Sequence, residues 1–107
     1  MITFKPGVEC TKIQVVIFEA MLKVARIYSI LGVPELVVTS LRDGNHMAES
    51  KHYEGLAFDC RIWTIHKDHR EPCYQAMRQE LGAAYDVVRE KKADGTDSHF
   101  HVEYDPD

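Results

Sequence analysis

A chain of 107 residues has room for one domain with one modest core, so a single domain is expected over 1–107. Its hydrophobic and charged fractions, 45% and 28%, are ordinary for a globular protein, and no apolar run reaches the length that spans a membrane. The net charge of −4 argues against a nucleic-acid partner.

Met1 is not followed by a basic segment, an apolar run and a cleavage pattern, so no secretory signal is expected. Cys10, Cys60 and Cys73 are odd in number and fit no metal-binding or redox spacing. Reduced, mostly buried thiols of a cytosolic protein are the expectation.

Taken in order, residues 1–9 show little beyond the Pro6-Gly7 turn. A helix is predicted from Thr11. Ile13, Val16, Ile17, Ala20, Met21, Val24, Ile27, Tyr28 and Leu31 recur at helical spacing, and Gly32-Val33-Pro34 ends it. That stripe is read as core. Leu36-Val37-Val38-Thr39 reads as a short strand, followed by a loop with an Asp43-Gly44 turn.

The stretch Ser50-Lys51-His52-Tyr53-Glu54-Gly55-Leu56-Ala57-Phe58-Asp59 comes next. Its second half, through Arg61, alternates as a strand. Leu56, Phe58 and Cys60 fall on one face, and Ala57, Asp59 and Arg61 on the other. His66 and His69 lie in a Lys/Asp/Arg-rich segment and are read as a hydrophilic loop rather than a ligand pair. Glu71-Pro72 opens a second helix with Cys73, Tyr74, Met77 and Leu81 as its stripe; Gly82 ends it. Tyr85 to Arg89 and Ser98 to Tyr104 read as two strands of a hairpin turning near Asp94-Gly95. The order predicts an α+β domain: a small antiparallel sheet with helices packed on one face.

Three side chains attract attention chemically. A catalytic zinc site takes three protein ligands from imidazole or carboxylate and keeps a place for water. His52 and Asp59 stand in His-x6-Asp spacing, and His101 lies on a strand where His99, His101 and Glu103 share a face. Hydrolysis also needs a general base and a cation or donor for the developing oxyanion. Asp97 and Glu103 are the base candidates. Arg42, at a strand end, could bind a carboxylate or the oxyanion. His99 could be a ligand, a residue bonded to a ligand, or a transition-state donor.

These residues carry a resemblance. Ser50-Lys51-His52-Tyr53-Glu54-Gly55-Leu56-Ala57-Phe58-Asp59 resembles the Ser-x-His-x-x-Gly-x-Ala-x-Asp signature of zinc peptidases that cleave bacterial cell-wall peptides. These are the D-alanyl-D-alanine carboxypeptidases and L-alanyl-D-glutamate endopeptidases, phage endolysins among them; the hedgehog signal domain shares their fold. All five fixed positions, Ser50, His52, Gly55, Ala57 and Asp59, are met. His99-Phe100-His101-Val102-Glu103 resembles the family's closing His-x-His strand, and Val38-Thr39-Ser40-Leu41-Arg42 the strand ending in a substrate-binding arginine. The likeness runs from about Ile13 to Tyr104.

The resemblance implies a hedgehog/DD-peptidase-like fold with zinc held by His52, Asp59 and His101. It implies His99 lining the site and Arg42 holding the substrate's carboxylate or carbonyl. The substrate would be a peptidoglycan stem peptide, cut beside a D-amino acid by attack of a zinc-activated water. Without a signal sequence, the enzyme would be released to the wall by other means or act on cytosolic peptides. One departure stands out. The family usually places its catalytic acid three residues before the last histidine, where this chain has Ser98, with Asp97 one residue further back. Asp97 is the expected base. The alternative is a zinc-stabilised binding domain of the same fold, since fold does not settle activity.

Overall fold

The computed structural model describes residues 1–41, 51 and 54–106. In chain order the elements are β1 (Ile2–Phe4), α1 (Val15–Ile30), β2 (Leu36–Ser40), β3 (Ala57–Arg61), α2 (Arg70–Leu81), β4 (Tyr85–Lys91) and β5 (Asp97–Tyr104), with a 3-10 turn at Lys67–His69. The strands form one sheet in the order β1-β2-β3-β5-β4. The α+β class stands. The sheet, however, is mixed rather than antiparallel, because β1 pairs with β2 in parallel, Ile2 opposite Leu36 and Phe4 opposite Val38. Three residues are too few for alternation to be legible in sequence, so β1 is the strand that pattern reading misses.

Both helices pack on one face of the sheet. The core joins Ile17, Met21, Val24 and Tyr28 of α1 and Cys73 and Met77 of α2 to Val38, Phe58, Cys60, Phe100 and Val102 of the strands. The predicted alternation of β3 is observed: Phe58 and Cys60 are fully buried toward the helices, while Asp59 and Arg61 are half-buried on the opposite face. Tyr28 is the largest fully buried side chain among the described residues. Its hydroxyl donates to the Arg61 carbonyl at 2.7 Å, which ties the middle of the core to the end of β3. Cys60 and Cys73 are buried thiols, and burial pushes each up to about 12; Cys10 is exposed, so the expectation of buried thiols holds for two of three.

α1 begins four residues later than predicted. Residues 11–14 form a turn that includes Lys12 at φ 57°, an uncommon backbone for a residue with a side chain. That turn is pressed against Glu54 and Gly55. Gln14 N–H donates to the Gly55 carbonyl at 3.0 Å, and a Cβ at Gly55 (φ 72°) would collide with the Lys12 carbonyl. Glycine is therefore required at 55 both by conformation and by close approach. No helix among the described residues is long and apolar enough to cross a membrane.

Candidate functional site

The sheet face opposite the helices is polar in its middle, and strand register sets its content. Paired residues share a face. Asp59 of β3 pairs with His101 of β5, Arg61 with His99, and Ala57 with Glu103. On the far side of β5, Val88 of β4 pairs with His101 and Asp86 with Glu103. On the near side, a register shift in β2 brings Ser40 opposite Asp59. Asp59, His99, His101 and Glu103 are thereby gathered from two strands, as the alternation of each strand predicts.

His101 lies at the centre. Its Nδ1 is 2.8 Å from Asp59 Oδ1 and its Nε2 2.8 Å from Glu103 Oε1. Burial alone would lower its pKa, but the hydrogen bonds to Asp59 and Glu103 outweigh it and raise the ring to about 9. At neutral pH both ring N–H groups donate, one to each carboxylate.

His99 is held differently. Its Nδ1 is 2.8 Å from Ser98 Oγ, either atom donating according to the tautomer, and its Nε2 is 3.6 Å from Asp59 Oδ2. That second separation is an ion-pair distance rather than a hydrogen bond. The side chain is about one-third exposed, the most open of this group.

Asp97 is not with them. The register of β4 against β5 shifts between Glu90 and Lys91, where Glu90 pairs with His99 but Lys91 pairs with Asp97. Ser98 is the extra residue, a β-bulge. The bulge turns Asp97 to the helix side, where Arg89 grips both of its oxygens (Nε–Oδ1 2.7 Å, Nη2–Oδ2 2.8 Å). Arg70 of α2 adds 3.1 Å to Oδ2, and Lys91 2.7 Å to Oδ1. The side chain is 6% exposed. The Arg89 hydrogen bond, helped by Lys91 and Arg70, holds this carboxyl well below the usual carboxylate range. A carboxylate so placed is a poor proton acceptor and joins the hairpin to α2. The expected alternation, which would have kept Asp97 on the face of His101, is overridden by the bulge.

His52 and Arg42, proposed from sequence as a ligand and a substrate-binding cation, lie outside the described residues. The described residues therefore bear on two of the three proposed zinc ligands. These two are donors of a kind that zinc accepts. Ligand atoms of one tetrahedral zinc stand about 3.3 Å apart, so the 2.8 Å between Asp59 Oδ1 and His101 Nδ1 needs to open by only about half an ångström. Glu103 would then keep its bond to Nε2, the carboxylate–imidazole arrangement usual behind a metal-bound histidine. Among the described residues the acids Asp86, Glu103 and Asp105 also bring oxygens within 4.8 Å of one another. An all-carboxylate, partly exposed group is not a zinc donor set.

His66 is accounted for locally. His66 Nδ1 accepts from the Asp68 N–H at 3.2 Å and caps the 3-10 turn, in keeping with the loop reading. Sequence reading overlooked the Ser98 bulge, which leaves no mark in the pattern. It also passed over Arg61, although the alternation that put Asp59 on this face put Arg61 there too. Comparison of the chain with family models, with curated proteins and with solved structures finds no match.

Proposed function

We propose that this chain is a zinc-dependent peptidase of the hedgehog/DD-peptidase type that hydrolyses peptide bonds in peptidoglycan stem peptides. The observation that carries this reading is the direct pairing of Asp59 with His101, far apart in sequence and each the residue that the cell-wall peptidase signature would assign to zinc. His52 is the third ligand of the proposal. Zinc, when bound, supplies Lewis acidity that polarises the scissile carbonyl and makes water acidic enough to attack at neutral pH.

The chain's own residues divide the remaining work. Asp59 contributes charge and holds the His101 ring. Glu103 accepts from Nε2–H and fixes the tautomer that leaves Nδ1 free to ligate. With Asp97 sequestered, His99 is the proton-transfer group of this reading. Ser98 sets its ring plane, and Nε2 faces Asp59 beside the proposed ligands. Arg42 keeps its proposed contact with the substrate's carbonyl or carboxylate.

The position of Asp97 favours one second reading, a zinc-stabilised binding domain without catalysis. A single experiment separates the two: incubation of purified peptidoglycan and a defined stem peptide with the protein, with and without zinc, products identified by mass. Zinc-dependent release of D-alanine or cleavage after L-alanine supports the peptidase. Bound zinc with both substrates intact leaves the binding domain.

A further inference from the structure

We propose that Arg61 and Trp63 form a subsite that holds a carboxylate of the peptide substrate, at the end of the polar face away from Glu103; this rests on the peptidase reading above. Arg61 pairs with His99 across β3 and β5, so its side chain rises from the same face as Asp59 and His101, two residues beyond Asp59. Its guanidinium lies 4.7 Å from the ring centroid of Trp63, the only tryptophan of the chain and 63% exposed.

Three features make this more than surface decoration. First, Arg61 has no carboxylate partner among the described residues, whereas Arg70 and Arg89 are both committed to Asp97. Second, the Arg61 guanidinium has no hydrogen-bond acceptor among the described residues, and its contact with the indole restrains the side chain, so a carboxylate can be received by two parallel hydrogen bonds with little further loss of side-chain freedom. Third, the face is electrostatically polarised. Asp86, Glu103 and Asp105 crowd its other end and repel an anion, so a carboxylate is directed to Arg61. A substrate anchored there lies across His99 toward Asp59 and His101. The anchor is therefore a specificity determinant: it sets which bond reaches the proton-transfer group.

The test uses the whole zinc-loaded chain and the fluorescence of Trp63, which senses the bound group directly. Three N-acetylated peptides are titrated: one ending in D-alanyl-D-alanine with a free carboxylate, its C-terminal amide, and an amide carrying D-glutamate as its only carboxylate. Tighter binding of one carboxylate peptide over the plain amide, by roughly tenfold to a hundredfold, is expected. Whichever peptide wins identifies the carboxylate as terminal or side-chain. Arg61→Ala should erase the preference and Arg61→Lys retain part of it, with unfolding midpoints unchanged. Equal binding of all three peptides, or a preference that survives Arg61→Ala, overturns the subsite. Hydrolysis is followed in parallel by product mass. Preference without cleavage upholds the subsite and sinks the peptidase; cleavage with Arg61→Ala as selective as the parent sinks the subsite alone.

Discussion

Asp59 and His101 are separated by 42 positions in the chain and by 2.8 Å in space, carboxylate oxygen to imidazole nitrogen. Their pairing makes the metal-free protein sensitive to alkali. The folded-state pKa of His101, about 9, lies above the ordinary histidine value. Its stabilising contribution is therefore complete below about pH 6.5 and is lost as pH rises through 9, an effect on the order of 3 kcal/mol. Urea unfolding of the zinc-free protein from pH 6 to 10 should trace this fall. His101→Gln should flatten the curve; parallel curves for the two proteins would show that the pairing does not govern stability.

The same pairing predicts competition between zinc and a proton. An ion on His101 must displace the Nδ1 proton, so zinc binding near neutral pH should release a proton and tighten as pH rises toward 9. Calorimetry in buffers of different ionisation enthalpy measures the release. Asp59→Asn should lower zinc affinity by roughly tenfold or more, as loss of a charged ligand requires. Proton-neutral binding would place the ion elsewhere.

Asp97→Asn should act on stability rather than chemistry. It leaves Arg70 and Arg89 without the acid that both contact and should cost about 2–4 kcal/mol in urea unfolding. Because the folded pKa of Asp97 is depressed, that contribution is present above pH 4 and is lost as pH falls through the acid range. Zinc affinity and any hydrolysis by the folded variant should be unchanged. A loss of several orders of magnitude in rate, at full zinc occupancy and unchanged stability, would restore Asp97 as the base.

Deleting Ser98 should make the strand regular without moving the acid to the site. With the extra residue gone, Asp97 directly precedes His99, so alternation keeps it opposite Lys91 on the helix side, within reach of Arg89. Urea unfolding should show only a modest change in stability, and hydrolysis per folded molecule should not rise. A gain in hydrolysis would show that Asp97 can reach the polar face and would reopen its role as the base.

How much of this was legible in the chain depends on the range of the interaction that decides each feature. Alternation in β3 and β5 placed Asp59, His99, His101 and Glu103 on one face because each strand is long enough to repeat and has one buried side. Helical spacing found α1 and α2 for the same reason. β1 escaped because three residues carry no period and its pairing with β2 is a long-range event. The Ser98 bulge escaped because nothing local marks it. It is favoured by three cations on β4 and α2 that converge on Asp97 only after folding. The mixed sheet depends on contact between distant segments, and the displaced acid on cations from both its own hairpin and α2.

The close seating of Gly55 on Lys12 has a bearing on portability. The stretch 50–59 is not a cassette that carries its own support. Its glycine lies bare against the backbone of the turn at 11–14, and that turn holds it by the bond from Gln14 to the Gly55 carbonyl. A graft of residues 50–59 onto another sheet would import the candidate ligands and leave behind the turn on which Gly55 is seated. The smallest transferable unit spans the turn before α1, the helix itself with its Tyr28 tether to Arg61, and both site-bearing strands, which is most of the chain.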